Sequence, residues 1–178
     1  MKQLKLFSEL QPNCSKRFPQ LEMSVGTLHQ WKQRIFDYQQ SAPSSQPQQQ
    51  TLFELAPNPC NVDTLDPFAL QLHNLSFCDQ PDWGDRTCLY FAMAVAPAIA
   101  YDTAKPTPLL LYVGETERSP KQRWMNHYCH RYIGNYIEMH RRYSLDVAVG
   151  IAFWFGAPIN RKQQLKLESE LIYRWRSP

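Results

Sequence analysis

The chain of 178 residues carries 19 Lys and Arg against 16 Asp and Glu, for a net charge of +3, with 43% hydrophobic and 13% aromatic residues. That is enough apolar side chain for one packed domain with an extension, and it excludes a wholly disordered chain, a fibrous repeat and a coiled coil. The longest apolar stretch, residues 88–101, is broken by Pro97 and falls short of the roughly 20 residues a membrane helix needs.

The N-terminal run Met1 to Phe7 lacks a long apolar segment and a small-residue cleavage site, so the expected location is the cytoplasm, with no membrane partner. Five cysteines, Cys14, Cys60, Cys78, Cys88 and Cys129, are scattered without a C-x-x-C pair and read as free thiols. Cys129 lies in His127-Tyr-Cys-His130, but no second Cys/His pair nearby completes a tetrahedral zinc site. Residues 1–86 hold seven basic and nine acidic side chains and residues 87–178 hold twelve and seven, so the halves carry −2 and +5. Any attraction to a polyanion therefore belongs to the C-terminal half.

In chain order, residues 24–40 form the first predicted helix, with Leu28, Trp31, Ile35 and Tyr38 on one stripe. It places an N-terminal helical segment at 1–38. The run QQSAPSSQPQQQ at 39–50 has no large apolar side chain and reads as a flexible linker. Residues 51–86, with Pro, Asp and Asn turns and little period, read as an irregular lead-in. Residues 87–95 and 109–113 are β-strands joined by a long Pro-containing loop. Ser119-Pro120 supplies an N-cap and a first-turn proline for a helix to about residue 131, followed by a second helix over 133–143. Residues 147–155 are rich in β-formers and make a third strand, and Asn160 caps a last helix ending near Trp175. This order predicts an α+β domain over 87–178 with a small three-stranded antiparallel sheet flanked by helices.

The chemistry gathers at four places. Tyr112-Val-Gly-Glu-Thr116 ends a strand, with Gly114 expected to let the chain turn sharply. Arg123 and His127 follow at i and i+4, one turn apart on one helix face. An arginine and a histidine beside a strand-end tyrosine can bind a phosphate and move a proton in one place. On the last helix Leu165, Leu167, Leu171, Ile172 and Trp175 define an apolar face with Glu168 close to its middle, whereas Glu170 falls on the other side. A carboxylate on a buried face needs a partner, a proton or a metal.

These residues resemble the GIY-YIG nucleases. Cys88-Leu-Tyr90 is similar to a degenerate first motif and Tyr112-Val-Gly114 to the second. The run YVGET, six residues, then Arg123 and His127 is similar to the family's strand-turn-helix segment. Leu167-Glu-Ser-Glu-Leu-Ile172 is similar to the helix that supplies its metal-binding glutamate. The resemblance spans about residues 87–178. Glu115 departs from it, since many members have a lysine or a neutral polar residue there.

The resemblance implies a divalent-metal-dependent DNA endonuclease that hydrolyses a phosphodiester by water attack. Mg²⁺ or Mn²⁺ would sit on Glu168, Tyr112 would orient or deprotonate the water with Tyr90 assisting, and Arg123 would clamp the scissile phosphate. His127 would share the proton transfer. Arg118, Lys121, Arg131, His140, Arg141 and Arg142 would form a solvated basic face against the DNA backbone. The degenerate first motif leaves a second reading open, the same fold kept for DNA contact or protein docking with catalysis lost.

Overall fold

The computed structural model describes residues 23–42, 62, 65–75, 84, 86–95, 108–125 and 129–177. The first helix, α1, is Val25–Ser41, and the Ser24 hydroxyl caps it by accepting the Thr27 N–H at 3.1 Å. A 3-10 turn at Pro67–Ala69 leads into β1, Leu72–Asn74. Then come β2 (Cys88–Ala94), β3 (Leu109–Thr116), α2 (Pro120–Met125), α3 (Cys129–Arg142), β4 (Val149–Trp154) and α4 (Arg161–Trp175). The α+β class holds. No helix among the described residues is long and apolar enough to cross a membrane.

The strands form one antiparallel sheet of four in the order β1-β4-β2-β3, so the expected count of three is corrected. The added strand has only three residues, too few to show a period of two, and it comes from the stretch read as irregular. Gly150 admits it: a Cβ there would lie 2.5 Å from Leu72 Cγ. β2 is central and buried along its whole length, which explains its unbroken run Cys-Leu-Tyr-Phe-Ala-Met-Ala. Tyr90, Ala92 and Ala94 pack on one face with Trp124, Cys129, Ile133 and Tyr136. Leu89, Phe91 and Met93 pack on the other with Leu167, Leu171 and Trp175. Helices therefore cover both faces, α1 to α3 on one and α4 on the other.

The predicted helix to about residue 131 and the one over 133–143 are redrawn as α2 and α3. The buried stripe Cys129, Ile133, Tyr136 and His140 recurs every three or four residues, so these positions belong to one helix. The N-terminal boundary also moves. Positions 39–41, assigned to the linker, are the last turn of α1, while the rest of that stretch beyond Ala42 lies outside the described residues.

Gln39 explains why the helix continues. Its side-chain amide accepts the Leu110 N–H at 2.9 Å and donates to the Leu110 carbonyl at 2.9 Å and the Trp175 carbonyl at 3.2 Å. β3 is an edge strand, and Gln39 pairs with it as another strand would. The contact falls beside a bulge, where the β2–β3 register moves from Ala92↔Tyr112 to Met93↔Leu110. One amide thus ties α1, the sheet edge and the end of α4 together. On the same helix Lys32, 5% exposed, reaches His140 across to α3.

Candidate active site

Gly114 is not at a turn. It sits inside β3 opposite Tyr90, and a Cβ there would lie 2.3 Å from Tyr90 Cζ and 2.8 Å from Tyr112 Cε1. The glycine makes room for a tyrosine ring lying on the strand, which corrects the expected role. Tyr90 and Tyr112 consequently stack, with centroids 6.0 Å apart and planes at 23°.

Their hydroxyls form a chain. Arg123, on α2, donates to the Tyr90 oxygen, and Tyr90 donates in turn to the Tyr112 oxygen. α2 is set in place by Ser119, whose hydroxyl accepts the Gln122 N–H at 3.1 Å and whose carbonyl accepts the Arg123 N–H at 3.0 Å. Burial pushes the Tyr90 phenol above its ordinary value, with the Tyr112 charge adding to the effect. Burial likewise pushes Tyr112 up to about 12, with Cys129 and Glu168 adding and the Tyr90 hydrogen bond and Arg123 opposing. Both phenols are neutral near pH 7. Tyr112 can hold and orient a water there. The chain behind it ends at the Arg123 guanidinium, which accepts no proton, so Tyr112 can release its own proton only outward, away from Tyr90, and it is not a standing phenolate.

Glu168 completes the group from the other side of the β3 edge. Its carboxylate accepts the backbone N–H of Glu115 and feels the charges of Arg123 and Arg161. Burial holds its pKa above the usual carboxylate range, and the Glu115 carboxylate raises it further. The expected helix face shifts. Leu165 and Ile172 are exposed, and the stripe against the sheet is Gln164, Leu167, Leu171 and Trp175 with Glu168 flanking it. Glu170 is a surface charge paired with Lys166 at 3.6 Å.

Glu115 has a partner that the sequence did not announce. It is 4% exposed and bonds to the Arg161 guanidinium at the start of α4. Arg161 also lies 3.5 Å from the Gln164 Oε1, and the Gln164 Nε2 donates to the Thr116 carbonyl at 3.2 Å. These bonds dock the first turn of α4 on the end of β3, one turn before Glu168. No periodicity marks Arg161, Gln164 or Gln39; only Glu115, an acid beside a strand-end motif, gave a sequence signal.

The structure brings Tyr90, Tyr112, Arg123 and Glu168 together. His127 lies outside the described residues. Arg118 lies two residues past the end of β3, its N–H bonded to the Thr116 hydroxyl at 2.9 Å, and Lys121 sits two positions before Arg123. Arg131 is exposed near the start of α3. Arg141, paired with Glu138 at 3.2 Å, and Arg142 lie at the far end of that helix, about 18 Å along it from Cys129. His140 is not on a solvated face: it is fully buried, with Nδ1 2.8 Å from the Tyr136 carbonyl and Nε2 3.1 Å from Lys32 Nζ. Its place on the α3 stripe that faces the core removes it from the basic surface.

A divalent ion fits the donor chemistry here. Glu168 offers a half-buried carboxylate that burial and the adjacent Glu115 charge make more basic, and Mg²⁺ is commonly held by one or two carboxylates plus waters and substrate phosphates. The described residues contain no group of three or more His, Cys, Asp or Glu that could form an all-protein cage. The Arg123 Nε is buried with no hydrogen-bond partner among the described residues, a donor of the kind a phosphate oxygen satisfies. Comparison with protein-family models, with curated proteins and with solved structures finds no match to this chain.

Proposed function

We propose that the protein is a divalent-metal-dependent DNA endonuclease of GIY-YIG type, hydrolysing a phosphodiester by water attack at the Tyr112–Glu168 site. The observation that carries this reading is the meeting of two stacked tyrosines, one arginine and one half-buried glutamate at the edge of one strand. These are four of the five catalytic residues that the sequence resemblance calls for; the fifth, His127, lies outside the described residues.

Each residue has a role in this reading. Arg123 holds a phosphate oxygen with the N–H groups that Tyr90 leaves over, and stabilises charge as it builds in the transition state. Tyr112 orients the attacking water, and Tyr90 fixes the Tyr112 hydroxyl so that its own proton points away from the pair. As the water attacks, its proton passes to the Tyr112 oxygen while the Tyr112 proton, which points away from Tyr90, passes to solvent, because a neutral phenol relays a proton more readily than it removes one outright. Glu168 holds the ion, which when bound supplies Lewis-acid stabilisation of the phosphate and the leaving oxygen. Arg118, Lys121 and Arg131 lie where they can follow the DNA backbone.

The test is incubation of supercoiled plasmid, branched DNA and flapped DNA with Mg²⁺ or Mn²⁺, wild type beside Glu168→Ala. Metal-dependent nicking lost in the variant is the expected result. DNA binding without cutting on any substrate favours the alternative of a binding module instead.

A further inference from the structure

Glu115 is an acid where a metal site of one carboxylate does not need a second. Its side chain is 6% exposed, and its backbone N–H bonds the Glu168 carboxylate, so the two acids are direct neighbours whose charges oppose each other. Left unpaired it would be a second anionic oxygen donor for any cation held by Glu168. Arg161 prevents this. Its guanidinium bonds directly to the Glu115 carboxylate, and Glu117 and Glu168 also lie within its field. Its side chain is 47% exposed, and the remaining bond of the first turn, from Gln164 to Thr116, anchors α4 independently of charge.

We propose that Arg161 is a resident counter-cation that occupies Glu115 and so sets how strongly the neighbouring Glu168 holds a divalent ion. The proposal rests on the reading of Glu168 as the metal ligand. The two residues act on the ion through charge and position; neither touches the reacting phosphate. The pair is neutral as a unit. Removing the arginine leaves one more negative charge beside Glu168, and removing the glutamate leaves one more positive charge. Divalent-ion affinity at oxygen sites rises with ligand charge, so the two substitutions have opposite effects. A pair that only held the helix in place would weaken binding in both.

Mn²⁺ binding, read by the loss of the free-ion EPR signal on titration of the full chain without DNA, tests this directly. Arg161→Met is expected to bind Mn²⁺ about tenfold more tightly than wild type, and Glu115→Gln about tenfold more weakly. Glu115→Gln with Arg161→Met, neutral again as a unit, is expected to return close to wild type. Because Arg161→Met strands a buried carboxylate, its melting temperature is followed with and without Mn²⁺, and the ion is expected to raise it more than in wild type. Equal weakening in both single variants, or no change in either, overturns the proposal, as does Mn²⁺ binding in none of the proteins. Glu168→Gln is the separate control. If it leaves Mn²⁺ binding at the wild-type level, the assignment of Glu168 fails and the proposal falls with it; if it abolishes binding while the two single variants do not shift it in opposite directions, Glu168 stands as the ligand and the counter-cation role of Arg161 alone is overturned.

Discussion

The Tyr90 ring lies against Gly114, its cross-strand partner, so closely that a single methyl group on the glycine would overlap Cζ at 2.3 Å and the hydroxyl at 2.4 Å. The conflict is with the ring itself, which is fully buried between β3 and α3 and has no flexible end to move aside. Gly114→Ala is expected to displace Tyr90 and, through the stack, Tyr112. A misplacement of about 1 Å at a reacting group costs on the order of 10²-fold in rate. DNA binding, read by gel shift, is expected to survive the change; unaltered cutting would contradict the packing argument.

The hydroxyl chain orders the effects of two further substitutions. Tyr112→Phe removes the hydroxyl proposed to hold the water and is expected to lower single-turnover cleavage about 10²- to 10³-fold. Tyr90→Phe keeps the stacked ring and loses the bond that orients Tyr112 together with the acceptor of Arg123, for a loss of about tenfold. The order is the prediction. A Tyr90→Phe defect as large as that of Tyr112→Phe would mean that Tyr90 itself meets the substrate.

Gln39 supports the site from outside it. Gln39→Ala leaves the buried N–H and C=O of Leu110 and the end of α4 without their side-chain partner. Unsatisfied buried backbone groups cost about 1–3 kcal/mol each, and water at the opened edge recovers part of that, leaving about 2–3 kcal/mol. Calorimetry is expected to show a fall in Tm of about 5–10 °C for a chain of this length. A fall under about 2 °C would show that α1 is not integral to the domain.

That result bears on what the sequence could reveal. Strands β2, β3 and β4 and helix α4 were legible because hydrophobic runs and the Asn160 cap are local signals. The Asn160 side chain indeed accepts the Lys162 N–H at 3.0 Å. Tyr90, Tyr112, Arg123 and Glu168 could be read together only through spacing and family resemblance. The three residues of β1 carry too little pattern to register. Gln39 and His140 misled for a common reason: each is a polar residue that looks solvated until a partner far along the chain satisfies it. Gln39 meets Leu110, and His140 meets Lys32. Arg161 escaped notice in the same way, since its meaning depends on Glu115 across the strand edge.

The Lys32–His140 contact sets a pH dependence of stability. The bond from Nδ1–H to the Tyr136 carbonyl leaves Nε2 to accept from the Lys32 ammonium. Burial lowers the His140 pKa, with the Lys32 and His29 charges adding to it, and burial lowers the Lys32 pKa as well. Below about pH 6.5 the unfolded imidazole takes up a proton that the folded one resists, so stability falls as pH drops toward the folded value. The lysine has the same sign at alkaline pH, where stability rises up to its unfolded pKa. Glu168, with its raised pKa, works in the opposite direction above about pH 4.5. Lys32→Gln keeps a donor to Nε2 without the charge, so its Tm is expected to fall less than that of wild type between pH 7 and pH 5. Parallel Tm curves would contradict the coupling.

The most direct measurement of the proposed activity is single-turnover cleavage of end-labelled DNA across a Mg²⁺ series, with wild type and Glu168→Ala each at a concentration that saturates binding. The geometry predicts cutting by wild type that rises with the metal, and a loss of at least about 10³-fold in Glu168→Ala at equal DNA occupancy. Cleavage by the variant at the wild-type rate, or wild-type cleavage indifferent to chelator, would contradict the assignment of this site.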